Sequence, residues 1–257
     1  MDKTIVILVA THKLYEVPTS NLYLPIYIGK KDNPNVTFQR DDAGNNIADK
    51  NFSYCELTAV YWAWKNQDSD YYGLCHYRRY FKGDDSFVVN SKKIKILSKN
   101  EAYKYLGKYD LILPKKRRYY IETNEQQYLH AHHKEGLEET YNVIKEFYPE
   151  YGNSLKKVMN SRSGHRFNMF IMKKDLFNDY CNWLFDILSR VEKRIDISNW
   201  DKSEQRVFGY LSERLLDVWV DFHKINYKEL KVVFTEKQHI IKKGINFVLR
   251  KFRKKKF

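Results

Sequence analysis

The stretch Thr4-Ile5-Val6-Ile7-Leu8-Val9-Ala10 restricts the fold more than any other part of this chain. It is continuously apolar and largely β-branched, with no polar alternation. Such a strand must be covered on both faces, as the central strands of parallel sheets are. The reading is therefore an α/β fold with a mostly parallel central sheet flanked by helices. The run is too short for a secretory leader or a membrane span, so a cytosolic location is expected. Thr11-His12-Lys13 follows at the strand's carboxyl end, the edge at which open α/β sheets hold ligands.

The 257 residues are 43% hydrophobic and 30% charged, a globular composition that suits one large domain. Residues 1–238 are read as that domain and residues 239–257 as an appendage. The three cysteines, Cys55, Cys75 and Cys181, lie far apart in apolar stretches and have no zinc-type spacing, so they are expected as buried thiols. The net charge is +14, yet the last sixteen residues, 242–257, carry eight Lys or Arg and no acid, leaving +6 for the rest. In that tail Ile241, Ile245, Val248, Leu249 and Phe252 share one helical face. This amphipathic basic pattern suits an anionic membrane surface. A charge excess concentrated in the tail, with no recognisable nucleic-acid motif, makes nucleic acid an unfavoured partner. The 21 tyrosines suit sugar or base rings; a coding bias that enriches Tyr, Lys, Asn and Ile together is the bland alternative.

Further elements follow from periodicity. Residues 30–51 read as a loop. Residues 53–66 read as a helix, with Ser53 as N-cap and Glu56 at the capping-box position. Strands are expected from residue 70, at 109–113 and at 167–172. Helical pattern covers about 125–160, 174–193 and about 202–221.

Chemistry concentrates where strands end. His76-Tyr77-Arg78-Arg79 closes the second buried strand, and alternation would put His76 and Arg78 on one face. Two arginines and a histidine can hold a diphosphate through charge-assisted hydrogen bonds. The alternative is an arginine paired with a core carboxylate. Asn46, Asn51 and Glu56 have side chains suited to sugar or ribose hydroxyls, although Glu56 could simply cap its helix. Glu213 is the candidate base, His76 a second catalytic candidate, and Glu213-Arg214 could equally be a buried pair; Asp201 and Glu204 are looser options. His130, His132 and His133 lack metal-ligand spacing; His132 and His133, with Asn168 and Arg214, are candidates for the acceptor side. Lys115–Arg118, again at a strand end, could meet an acceptor pyrophosphate.

Taken in order, several of these strings resemble one family. Tyr72-Gly73-Leu74-Cys75-His76-Tyr77-Arg78-Arg79-Tyr80-Phe81 is similar to the hallmark of the "domain of unknown function 4422" glycosyltransferases of surface-polysaccharide loci. Thr11-His12-Lys13, Leu24–Gly29, Asn46-Ile47, Asn51, Glu56–Asn66, Asn168–Met172, Tyr180–Phe185 and Leu211–Leu215 match in sequence, so that the resemblance spans about residues 4–235. It implies a nucleotide-binding sandwich of the GT-A type and transfer of a hexose, possibly galactose or galactofuranose, from a UDP-sugar. The implied acceptor is a saccharide linked to undecaprenyl pyrophosphate at the inner face of the cell membrane. Thr11, His12, Lys13, Asn46, Asn51, Glu56, His76, Arg78 and Arg79 are then the expected donor-binding set. No metal or other cofactor is expected to be required, because His76, Arg78 and Arg79 stand where many transferases carry Asp-x-Asp; manganese or magnesium stays open. The alternatives are a nucleic-acid-binding protein and a non-catalytic scaffold.

Overall fold

The computed structural model describes residues 3–29 and 35–236. In chain order the elements are β1 (Ile5–Thr11), β2 (Tyr23–Tyr27), β3 (Gln39–Arg40), α1 (Asn51–Tyr54), α2 (Leu57–Asn66), β4 (Tyr71–His76), β5 (Arg79–Phe81), β6 (Asp85–Val89), β7 (Lys92–Ile96) and α3 (Lys99–Leu106). They continue with β8 (Leu111–Pro114), β9 (Arg117–Arg118), α4 (Asn124–Ala131), α5 (Lys134–Phe147), α6 (Gly152–Asn160), β10 (Ser163–Gly164), β11 (Phe170–Lys173), α7 (Lys174–Glu192), α8 (Val207–His223), β12 (Tyr227–Leu230) and β13 (Val232–Phe234). The appendage expected over residues 239–257 lies outside the described residues. Among the described residues no helix is long and apolar enough to cross a membrane.

The main sheet runs β12-β8-β11-β4-β1-β2-β3. β1 pairs parallel with β2 and β4, and β12 pairs parallel with β8. β11 runs antiparallel between β8 and β4. The carboxyl ends of β1, β4, β8 and β12 therefore share one edge of the sheet with the amino end of β11. β1 is buried throughout, as its composition demands. Its side chains divide by parity: Val6, Leu8 and Ala10 enter one core, Ile5, Ile7 and Val9 the other. The first core lies under α2, α5, α7 and α8, with Trp219, Tyr180 and Phe177 fully buried and Tyr72 stacked on Phe177 at 4.3 Å. The second lies under β5, the β6–β7 hairpin and α3, filled by Tyr80, Phe81, Ile96 and Leu106. Helices thus cover one face, while one helix and short strands cover the other. Ser98 and Glu101 form a reciprocal capping box that starts α3.

Several expected boundaries move. The helix expected over 53–66 breaks at Cys55, which takes φ 55°. Ser53 is no cap; its hydroxyl donates to the Lys50 carbonyl at 3.2 Å, and the Glu56 side chain makes no cap bond. The Asn51 amide holds the break by donating to the Cys55 carbonyl at 2.9 Å. The helical pattern over 125–160 divides into α4, α5 and α6, which turn to keep their apolar faces on the core. The strand expected from 167 starts at Phe170, because Phe167 and Asn168 take φ 78° and 53°. The helix expected from 202 begins at Val207, after a series of turns.

Candidate functional site

β1 leads outward to β2 on one side and has β4 on the other, so its carboxyl end marks a point where chain connections diverge. Crevices at such points are the usual ligand sites of open α/β sheets. A cleft of about 510 Å³ lies there, lined by His12 beyond β1, His76 at the end of β4, and Tyr77, Arg78 and Arg79. Asn51, Cys55 and Glu56 supply a second wall, and Lys202, Gln205 and Arg206 a third.

The geometry at His76 differs from the alternation expected over 76–79. The chain reverses at Tyr77-Arg78, and β5 returns antiparallel so that His76 faces Arg79. Directly opposed residues of an antiparallel pair share a face, so Arg79, not Arg78, accompanies His76. The Arg79 guanidinium lies over the Phe167 ring at 4.5 Å. Burial pushes its pKa down, against the opposing pull of the Glu56 and Glu213 carboxylates. Its Nε is buried and has no hydrogen-bond partner among the described residues. Arg78 instead pairs with Glu236 at 2.9 Å.

The His76 Nε2 lies 2.6 Å from the Phe167 carbonyl. A carbonyl only accepts, so Nε2 carries the proton and donates. Burial lowers the imidazole pKa, with Arg79 adding to that push and Glu56 and Glu213 opposing it. The same Phe167 donates its backbone N–H to Glu213 at 2.9 Å. The second Glu213 oxygen accepts from Arg214 at 3.2 Å. Both oxygens of Glu213 are thus engaged, and this residue does not line the cleft. Glu56 does line it, and its Oε1 accepts from the Asn168 amide at 2.7 Å. Asn168 is itself held by Gly209 and Ser212 of α8. Its left-handed backbone is one that Asn adopts more readily than other non-glycine residues.

The expected residues therefore divide. His12, Asn51, Glu56, His76, Arg78 and Arg79 meet in the cleft. Thr11 is fully buried, and its hydroxyl donates to the Lys13 carbonyl at 2.5 Å, so it shapes the turn from beneath. Lys13 sits over the rings of Tyr15 and Tyr77. Asn46 is spent on its own turn, donating to the Asp42 and Gly44 carbonyls and accepting from Ala48 N–H. His132 stacks on Tyr210 at 4.0 Å and His133 on Trp200 at 4.3 Å, beside the cleft wall rather than in it. Arg214 is buried and donates to the Tyr210 carbonyl and to Gln127, which removes it from an acceptor surface. Among the described residues no group of three or more His, Cys, Asp and Glu is placed to hold a metal ion.

Lys202, Gln205 and Arg206 were not anticipated. Arg206 donates from Nε to Cys55 Sγ at 3.1 Å across 151 residues of sequence, a contact that no local spacing announces. Burial and the adjacent Glu56 raise the Cys55 thiol to about 11, with Arg206 pulling the other way. The larger cavity, about 830 Å³ between α6, α8 and β12, contains none of the expected donor-binding residues.

The family model described as domain of unknown function (DUF4422) matches residues 6–224. No curated protein matches the chain. Among solved structures, the WbbM bifunctional glycosyltransferase in its apo form is similar at 31% identity and a TM-score of 0.78. That similarity covers 91% of this chain but 46% of the WbbM chain, so this chain spans about half the length of its structural relative.

Proposed function

The chain belongs to the DUF4422 family, and from that membership and the cleft we propose that it is a glycosyltransferase of bacterial surface-polysaccharide synthesis. In this reading it moves a hexose from a UDP-sugar to a lipid-linked saccharide at the inner face of the cell membrane. The observation that carries it is Arg79: a half-buried guanidinium at the sheet's ligand edge, whose buried Nε has no hydrogen-bond partner among the described residues. A diphosphate supplies the acceptor such a group lacks. Arg206 and Lys202 bring further cations to the same cleft.

In the proposed reaction the acceptor hydroxyl attacks the anomeric carbon while the bond to the diphosphate breaks. The electron pair leaves with UDP, whose developing charge Arg79 and Arg206 offset. Glu56, rather than Glu213, takes the hydroxyl's proton, because it faces the cleft and Asn168 fixes its orientation. His76 and Glu213 position the Phe167-Asn168 turn that presents Asn168 to Glu56. Charge neutralisation by arginine also makes metal dispensable in this reading. The basic tail 239–257 is proposed to add membrane attachment.

Calorimetric titration with UDP, with and without EDTA, tests this. Wild type should bind equally in both, a folded Arg79→Ala variant at least tenfold more weakly, and Glu56→Gln should retain UDP affinity while losing sugar transfer. UDP affinity untouched by Arg79→Ala, or no UDP binding at all, would overturn the reading.

A further inference from the structure

The segment that leaves β8 takes no part in the cleft, yet it emerges from the same edge of the sheet. Lys115, Lys116, Arg117 and Arg118 are all exposed, and so is Arg162 on the strand-like segment opposite. Lys116 also donates to the Tyr227 hydroxyl. Tyr120 is 77% and Ile121 54% exposed. The next residue, Glu122, is buried and sits 2.8 Å from His130 Nδ1, so it is turned away from this loop's charge, while Lys116 feels the Asp217 and Glu229 carboxylates.

The backbone holds this arrangement in place. β9 pairs antiparallel with β10. Tyr119 points inward: its hydroxyl accepts from Arg166 Nε at 2.8 Å, and its N–H donates to the Arg162 carbonyl at 2.8 Å. Tyr120 then takes φ 60°, and Ile121 N–H returns to the Tyr119 carbonyl at 2.7 Å. A tyrosine in the left-handed region costs on the order of 1 kcal/mol. The turn leaves an aromatic and a branched aliphatic side chain exposed next to one another, on the same loop as four exposed cations and across the β9–β10 pairing from a fifth, Arg162. A tyrosine with an apolar body and polar tip suits the headgroup level of a bilayer. Flanking Lys and Arg suit anionic lipid.

We propose that the Lys115–Ile121 loop docks on an anionic membrane, with Tyr120 and Ile121 entering the interface and the five cations meeting lipid phosphates. Charge complementarity selects an anionic partner, and the paired apolar tip selects lipid over nucleic acid, whose backbone offers Ile121 nothing. Docked in this way, the loop turns the sheet edge that carries the cleft toward the membrane. The inference deepens the lipid-linked-acceptor reading above, but membrane contact is read without turnover, so the two can fail separately.

The three native cysteines are buried and unpaired, so a thiol placed at an exposed position can be labelled selectively. Full-length Tyr120→Cys and Ile121→Cys variants, each carrying an environment-sensitive dye, would be mixed with vesicles of phosphatidylcholine alone or with phosphatidylglycerol added. A Val88→Cys variant serves as the reference, because Val88 is 60% exposed on β6. The expected result is a blue shift and quenching by spin-labelled lipid at 120 and 121, dependent on phosphatidylglycerol, with neither at 88. Vesicle binding without a change at 120 and 121 would overturn the proposal by assigning docking to another segment. An equal change at 88, no vesicle binding, or a dye response to duplex DNA but not to vesicles would also overturn it.

Discussion

Asp41 is fully buried beside the loop that leads to the cleft, and its Oδ1 accepts from Gly29 N–H at 2.9 Å. Burial raises its carboxyl pKa from 3.8 to about 6, with hydrogen bonds from Thr58 and Gly29 opposing the rise. A carboxyl with a raised folded-state pKa binds its proton more readily folded than unfolded. Its contribution is therefore most favourable below the unfolded value and is lost as pH rises through about 6. Asp41→Asn should stabilise the protein at pH 7 and have little effect at pH 4. Denaturant unfolding of both proteins across that range checks this, and a variant less stable at pH 7 than wild type would reject it. The same scale shows how alike two carboxylates look in sequence. Glu56 and Glu213 both lie in or at the start of apolar helical segments, but only the folded chain commits both oxygens of Glu213 to partners and turns Glu56 to the cleft.

At the level of elements, β4 is the strand on which the site hangs. Gly73 lies in its middle, where a Cβ would stand 2.9 Å from Ile171 Cγ1, 3.0 Å from the Phe170 carbonyl oxygen and 3.1 Å from Ile7 Cγ1. Overpacking of this kind costs about 1–3 kcal/mol. Gly73→Ala should lower the denaturant midpoint accordingly without changing the slope; an unchanged midpoint would show that β11 gives way freely. Strands with unbroken apolar runs, such as β1 and β4, were legible because a two-sided burial requirement is written in composition. The short strands β5 to β7 and β12 to β13 were not. Their pairing is decided by partners far along the chain, as when β13 joins β5 through Val233 and Tyr80. The reversal at Tyr77-Arg78, where alternation would continue the strand, depends on such a distant pairing too.

For the molecule as a whole, Arg166 ties the layers together. Its guanidinium donates to the Tyr119 hydroxyl, the His165 and Glu213 carbonyls, and Asn124, and it meets Asp217 at 3.5 Å. These partners come from the β9 loop, α4 and α8, and Arg166 is itself buried. Removing one member of a buried charged network leaves the others desolvated and unpaired, at about 3–5 kcal/mol. Arg166→Met should therefore cost far more stability than Arg117→Met on the exposed loop, measured by thermal melting; equal losses would deny Arg166 its role as a tie between layers.

By itself the sequence determined the α/β class, the central strands and the strand ends at which chemistry gathers, because these follow from local apolar runs and their polar termini. It also placed His12, Asn51, Glu56, His76, Arg78 and Arg79 in one candidate set, six residues that line one cleft. Only the tertiary structure decided which of the expected site residues line the cleft and which serve the fold. Thr11, Asn46 and Arg214 became internal supports, and Lys202, Gln205 and Arg206 joined the cleft. The reason is physical: a side chain's role depends on which distant backbone groups satisfy its hydrogen bonds, and that pairing exists only once the chain has closed on itself.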